Sequence, residues 1–242
     1  MVPASHPRYL SLMLRERIAA GVEQGIASSH GLIAHGRGEA FDYLLGERTH
    51  PFAAAACTVA AALLLRALRP VISVNGNVCA LCAEELVTLS RAVSAPLEVN
   101  IFHTSPEREQ RIAARLRESG ATAVLMPGRT HALEHIDHNR RWVNEAGIHQ
   151  ADVVFVPLED GDRCAALVRN GKRVITVDLN PLSRTARTAS VTIVDNLIRA
   201  MPLIIAACGT LKKQPAVELD ALIAGWDNAG ALRAAEATLR QG

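Results

Sequence analysis

The sequence predicts an α/β fold: an open, mostly parallel sheet with helices on both faces, preceded by an N-terminal helical segment. Two observations predict the sheet. From Pro70 onward, short β-branched runs (VISVN, LEVNIF, AVLM, ADVVFVP, RVITVDL, SVTIVDN) are apolar on both faces, as strands covered on both sides by helices must be. They alternate with helical stretches such as AEELVTLSRAV, EREQRIAARLRES and CAALVRNG, and strand–helix alternation indicates crossover units and parallel pairing. A third observation sets the scale. With 242 residues, 49% of them hydrophobic and 21% charged, the chain can build one core, and no composition shift marks a boundary, so a single domain over 1–242 is expected.

At the N-terminus, Ser5, Pro7 and the stripe Leu10, Leu14, Ile18, Val22 predict a capped amphipathic helix ending near Gly25, with Arg8, Arg15 and Arg17 on its polar side. The next segment, GLIAHGRGEAFDYLLGERT, has three glycines by position 38 and five charged residues from Arg37 to Arg48. It reads as a polar loop that could line a site. Ala53 to Leu68 is rich in Ala and Leu without internal Gly or Pro, which predicts a buried helix. After the strand-rich region comes a helix from Leu197 to about Lys212, then one or two surface helices. Gly128 to Gln150, rich in His, Arg and Asn, is the least regular stretch.

Composition excludes several classes of function. Lys plus Arg number 26 against 24 Asp plus Glu, with no run of like charge, so no global nucleic-acid footprint exists. Aromatics are 3%, which leaves few platforms for stacking bases. The longest apolar stretch, Pro51 to Leu65, is shorter than the roughly 20 residues of a spanning helix and is closed by Arg66. No membrane association is expected. The first residues lack an apolar signal core, and the five cysteines are an odd, scattered set, so free thiols and a cytoplasmic setting are expected.

In an open parallel sheet, ligands bind where strands end at their carboxyl termini. Those exits read Asn75-Gly76-Asn77, Asn100-Ile101-Phe102-His103, Glu159-Asp160-Gly161-Asp162-Arg163, Asp178-Leu179-Asn180 and Asp195-Asn196. Turn chemistry alone explains any one of them; five together point to a site. Neither GxxxxGK[ST] nor GxGxxG is present, so phosphates would need arginines: Arg15, Arg37, Arg163 and Arg184 are the candidates. Arg37, between Gly36 and Gly38, stands out because flanking glycines let a ligand approach the backbone. By position alone, His35, Asn75, Asn77 and Arg163 are substrate-side candidates. Cys79-Ala80-Leu81-Cys82 has the spacing of a redox pair, although two small packing residues explain it better. His131, His135 and His138 have the spacing of a shared helix face that could hold a metal, or of a polar loop.

At the level of whole segments, SHPRYLSL, GLIAHGRGEAFDYLLGE, PVISVNGNV, ADVVFVPLEDGDR, ALVRNGK and TVDLNPLSRTA closely resemble the archaeal 4-phosphopantoate-beta-alanine ligase family, also called phosphopantothenate synthetase, in order and spacing from about Ser5 to Asn228. The resemblance implies a homodimeric, Rossmann-like enzyme of coenzyme A biosynthesis. Its reaction condenses 4-phosphopantoate with beta-alanine using ATP, releasing AMP and diphosphate, and charge building on phosphate oxygens makes Mg2+ the expected cofactor. It implies ATP contacts at Arg15, Arg37, Asp178, Leu179, Asn180, Arg184, Thr185, Asp195 and Asn196. CALC at 79–82 and the stretch 128–145 depart from the family pattern, the latter matching mainly through Leu133-Glu134-His135, so His135 is a substrate candidate from that stretch. Arg37, His35 and Asn77 are the catalytic candidates. Glu159, Asp160 and Asp162 could hold magnesium or the beta-alanine ammonium, or simply form an acidic turn that caps a helix. A nucleotide-binding regulator on the same sheet is the alternative function, and a thiol redox protein a third.

Overall fold

The computed structural model describes residues 3, 5, 6, 8–103 and 105–241; Pro7 lies outside them. Three helices come first: α1 (Tyr9–Glu23), α2 (Ser29–Leu44) and α3 (Pro51–Arg66). The alternating part then runs β1 (Pro70–Val74), α4 (Gly76–Val93), β2 (Leu97–Val99), α5 (Pro106–Glu118), β3 (Val124–Leu125). A short hairpin follows, β4 (His131–Ala132) and β5 (Trp142–Val143), and then β6 (Val153–Phe155), α6 (Gly161–Arg169), β7 (Arg173–Val177), α7 (Arg184–Thr188) and β8 (Val191–Ile193). Helices α8 (Leu197–Leu211), α9 (Ala216–Ala224) and α10 (Asn228–Leu239) close the chain.

Six strands form one parallel sheet in the order β3-β2-β1-β6-β7-β8. Strand alternation divides its two faces. Ile72, Val74, Leu97, Val99, Phe155 and Val177 join α1, α3, α4, α5 and α8 in the main core. Val71, Val154, Val156 and Val174 face the other way, onto α6 and the segment around Val143 and Ile148. The order reverses at β1: the chain builds outward through β2 and β3, then returns to add β6 on the opposite side. A crevice at the carboxyl ends of β1 and β6 is the necessary result.

Local chemistry explains most of the boundaries. Helix α5 is capped by Ser105, whose hydroxyl accepts from the Arg108 N–H. Pro106 sits at its start, Glu107 and Glu109 in its first turn, and Arg115 and Arg117 in its last, all favourable with the helix dipole. Helix α1 lacks the expected cap: Arg8 occupies the N-cap position without a side-chain bond, and Ser5 takes no part. Most of the expected loop at 31–49 is instead the regular helix α2, capped by Ser28, and only 45–49 is irregular. Its glycines cost helix stability, but Phe41 and Leu45 anchor one side on the cluster around Leu179, Val194 and Leu232, so tertiary packing overrides propensity. Helix α4 begins at Gly76 and takes in the CALC motif, with a kink at Cys82.

Beneath the second face, Glu98 in the middle of β2 is fully buried. Its oxygens accept from the Asn144 N–H (2.9 Å) and the Ile148 N–H (2.6 Å), which clamps the segment carrying the hairpin onto the sheet. Gly147 is required there, since a Cβ would lie 2.0 Å from Glu98 Oε2. Burial pushes the Glu98 carboxyl from 4.5 up to about 7 against the two N–H bonds and the Arg163 and Lys172 charges. The folded protein therefore holds this proton more tightly than the unfolded chain. Its contribution to stability is complete below about pH 4.5 and is lost as pH rises to about 7, on the order of 3 kcal/mol. Denaturant unfolding at pH 5 and pH 8 should show that fall, and Glu98→Gln should flatten it; parallel curves for both proteins would refute the assignment.

Candidate active site

A cavity of about 390 Å³ opens in the crevice between β1 and β6. One wall is α2, presenting His30, Gly31, His35, Gly38 and Glu39. The opposite side combines the β2 exit (Ile101, Phe102, His103), Arg108 and Arg140 with Leu158 and Asp160, and the floor is the start of α4. Toward the outer strands lie Leu179, Asn196 and Leu197.

Two asparagines build the floor. Asn75 Oδ1 accepts from the Val78 N–H (3.0 Å), capping α4, while its Nδ2 donates to the carbonyls of Pro157 (3.3 Å) and Leu158 (3.1 Å). That side chain ties β1 to β6 across the crevice, so its amide is already committed. Asn77 Nδ2 donates to the Gly31 carbonyl (2.9 Å), fixing α2 against α4. Position 31 must be glycine for this approach, because a Cβ would stand 2.2 Å from Asn77 Oδ1.

Below the floor the acidic turn divides. Glu159 is buried and pairs with both Arg140 and Arg163, with Arg140 Nη2 donating to Glu159 Oε2 at 2.7 Å. Arg163 is wholly buried and also donates to Ser73 Oγ (3.2 Å). Neither Glu159 nor Arg163 faces the cavity, which corrects their expected place as direct substrate contacts: they neutralise one another under it. Asp160 does face the cavity, with its side chain 50% exposed. Its pKa is raised by burial and by the Glu159 charge, against the opposing pull of Arg140.

The outer exits hold a second buried network. Asp195 accepts from Thr49 Oγ1 (2.5 Å) and Arg199 Nε (2.8 Å), and Asn196 Nδ2 donates to Asp42 Oδ2 (2.8 Å). Arg199 also pairs with Asp42 at 2.5 Å. Thr185 is buried and donates to the Glu159 carbonyl (2.8 Å). Asp178 accepts from Ser183 Oγ (2.5 Å) and the Asn180 N–H (2.9 Å). Burial raises its pKa, while Ser183, Asn180 and nearby Arg37 pull it down. Arg37 is thus brought to the β7 exit from the exposed face of α2, where Gly38 packs against Leu179. Arg184 is exposed and lies 3.7 Å from Asp162. Arg15 holds Glu39 through Nε (2.9 Å to each oxygen) and meets the Tyr43 hydroxyl (3.2 Å). His35 is half-buried, and desolvation lowers its pKa against the pull of the Glu39 and Asp42 charges, with the Arg15 charge adding to the lowering.

The structure therefore brings His35, Asn75, Asn77, Asp160, Leu179 and Asn196 onto one cavity; Arg15 and Arg37 do not line it, Arg15 being bonded to the lining Glu39 and Arg37 lying near Asp178. His135 is apart from it, next to Glu134 in an exposed bend at φ 64°. No shared helix face exists for His131, His135 and His138: His131 is in β4, and His138 caps the turn at Arg140. Among the described residues, no group of three or more His, Cys, Asp or Glu side chains could hold a metal ion. Sequence reasoning missed Arg140, Asp42 and Arg199. Arg199, a charge at the start of the apolar run Leu197–Leu211, was the one legible signal.

All five cysteines are buried and free. Burial pushes the Cys79 thiol up to about 12 and Cys82 higher still, so neither forms the thiolate that a redox pair needs. Cys79→Ser with Cys82→Ser should keep turnover while losing roughly 1 to 3 kcal/mol of stability. A folded but inactive double variant would restore the redox reading.

Fold and cavity are those of an α/β protein of the Rossmann-like kind, with a candidate site at the topological switch point. The family model described as "Phosphopantothenate/pantothenate synthetase" matches residues 52–242. The chain is 52% identical to the 4-phosphopantoate--beta-alanine ligase of Methanosarcina mazei, covering 94% of this chain and 89% of that protein. It is 50% identical to the Thermococcus kodakarensis protein of the same name (94% and 87% covered) and 52% identical to that of Methanospirillum hungatei (87% and 86%). The chain belongs to the phosphopantothenate/pantothenate synthetase family and is a ligase. Among the described residues no helix is long and apolar enough to cross a membrane.

Proposed function

We propose that this enzyme condenses 4-phosphopantoate with beta-alanine at the expense of ATP, through an acyl adenylate, in coenzyme A biosynthesis. The observation that carries the reading is the switch-point cavity in a chain about half identical to ligases of that name along nearly its whole length. A carboxylate is a poor acyl donor. It must first attack the α-phosphorus of ATP, which separates AMP from diphosphate, and the amine then opens the mixed anhydride.

In this reading ATP lies along the β7 and β8 exits. Arg37, Arg15 and Arg184 meet phosphate oxygens, while Asp178, Leu179, Asn180, Thr185, Asp195 and Asn196 shape the nucleotide side. Several of these side chains are committed to internal bonds, so their part is to fix backbone donors and carbonyls in place. The 4-phosphopantoate side is the start of α4 with Asn75 and Asn77, where free helix N–H groups favour an anion. Magnesium would supply charge neutralisation at the phosphates, and Asp160 and Asp162 are the half-exposed carboxylates of the acidic turn that could hold it.

The purified enzyme with ATP, magnesium, 4-phosphopantoate and beta-alanine should form AMP and diphosphate in step with 4-phosphopantothenate; ADP and phosphate instead would exclude the adenylate. A homodimer is part of the proposal, on the family resemblance alone. The Ala-rich helix α3 is covered within the subunit, where it packs in the main core with α8 and α9, so it does not supply the interface. Light scattering at micromolar concentration should give twice the chain mass.

A further inference from the structure

We propose that Asp160 binds the ammonium group of beta-alanine and takes its proton, so freeing the amine that attacks the activated acyl carbon. The proposal rests on the ligase reading of the cavity and assigns within it the second half-reaction.

Four observations lead to Asp160. First, it occupies the N-cap of α6 without capping it. Among the described residues, every other Ser, Asn or Asp at the N-cap of an α-helix, namely Ser28, Asn75, Ser105, Ser183, Asn196 and Asp227, accepts from its own helix. Asp160 gives up that bond, ordinarily a stabilising one, and turns its carboxylate toward Arg140 and the cavity.

Second, the backbone is strained to put it there. Leu158 has φ 54°, a conformation that costs a branched residue energy and concentrates at functional sites. Its carbonyl is held by Asn75 Nδ2. The reversal sends Glu159 into the buried ion pairs and leaves Asp160 on the cavity side.

Third, the rival carboxylate is occupied. Glu39 is the other acid on the cavity, and its oxygens accept from Arg15 and from the Tyr43 hydroxyl. Asp160 Oδ2 accepts from Arg140 Nη1 at 3.2 Å, and Oδ1 has no partner among the described residues. One oxygen is thus anchored and the other is available to a cation.

Fourth, the environment suits a proton acceptor. Burial and the neighbouring Glu159 charge raise its affinity for a proton, and its half-exposed position lets the proton pass on to solvent.

The step balances. One proton leaves the ammonium nitrogen for Asp160, and the freed lone pair forms the C–N bond at the acyl carbon. As the tetrahedral centre collapses, the bond from carbon to the bridging oxygen of AMP breaks, and its electron pair leaves with that oxygen. The remaining excess proton on nitrogen goes to the departing phosphate. No oxidant, reductant or further reactant is required.

The half-reactions can be read separately. Exchange of diphosphate into ATP, dependent on 4-phosphopantoate, reports the adenylate. Hydroxylamine, uncharged at neutral pH, traps the same adenylate without needing a base. In Asp160→Asn, exchange and hydroxamate formation should stay within about twofold of wild type. Amide formation from beta-alanine at pH 7 should fall by roughly 10² to 10⁴, with a raised KM for beta-alanine, and should recover about tenfold per pH unit up to pH 9 as free amine accumulates. Asp160 makes no capping bond to lose, and asparagine keeps the size and an oxygen that can accept from Arg140, so thermal melts should move little; Asp160→Ser provides a second variant with the same expected signature.

Equal loss of hydroxamate and amide would overturn the proposal, since Asp160 would then serve the whole site. So would unchanged amide formation, or the selective loss appearing in His35→Asn in place of Asp160→Asn. If wild-type enzyme made 4-phosphopantothenate without exchange or hydroxamate, the adenylate reading itself would fall, and this role for Asp160 with it.

Discussion

Arg140→Ala is expected to cost about 3 to 5 kcal/mol of stability and to abolish turnover. The guanidinium is 4% exposed. It donates to both oxygens of buried Glu159, to Asn100 Oδ1 (2.9 Å), to the Asn100 carbonyl (3.3 Å) and to Asp160 Oδ2 (3.2 Å). Truncation leaves a buried carboxylate with one cation where it had two, and strands an asparagine amide oxygen. Breaking a buried pair from one side typically costs 3 to 5 kcal/mol, because an uncompensated charge remains in low dielectric. Arg140→Lys retains the charge without the fork, so it should recover part of the stability and little activity. Denaturant titration with activity assays below the transition makes the comparison. A loss under about 1 kcal/mol for Arg140→Ala would show that the network is hydrated.

That arginine also marks where the sequence stops being informative. Strands, crossovers and the polar exits are visible because burial on both faces forces continuous apolar runs, and because turns need Asn, Asp and Gly. Arg140 lies in the stretch His-Asn-Arg-Arg-Trp, where nothing local separates a buried cation from an exposed one; neighbouring Arg141 instead lies over the Trp142 ring. Burial of Arg140 is set by Glu159 and by the clamp at Glu98, both distant in the chain. The same holds for Asp42 and Arg199, which meet across 157 positions.

Helix α2 was misjudged for a different reason. Three glycines and a polar composition favour a loop on propensity, and the competing term, Phe41 and Leu45 docking on the Leu179–Leu232 cluster, exists only in the folded chain. The consequence for Arg37 is a change of setting. Its neighbour Gly36 has no protein atom within 4 Å of a would-be Cβ, so no contact within the described chain requires glycine there. Arg37 reaches the β7 exit as a side chain of a helix, not of a loop. The acidic turn shows the converse: Glu159 and Asp160 are adjacent and alike in sequence, and only the left-handed Leu158 sorts them into a buried partner and a cavity carboxylate.

Arg37→Ala should fold as wild type and lose catalysis. The side chain is exposed on α2, close enough to Asp178 to pull down its pKa, and it makes no hydrogen bond to another side chain among the described residues. Alanine is a better helix former, so the stability change should stay within about 0.5 kcal/mol. In the proposed reaction, negative charge gathers on the α-phosphate as the carboxylate attacks. Losing one positioned donor to developing charge costs about 3 to 4 kcal/mol, or roughly 10² to 10³ in rate. Arg37→Lys keeps the charge but cannot make two parallel hydrogen bonds, so it should restore only part of that loss. Steady-state turnover at saturating ATP and 4-phosphopantoate, with thermal melts alongside, decides it: wild-type rates in Arg37→Ala would place the triphosphate elsewhere, and a collapsed melt would make Arg37 a structural residue of α2.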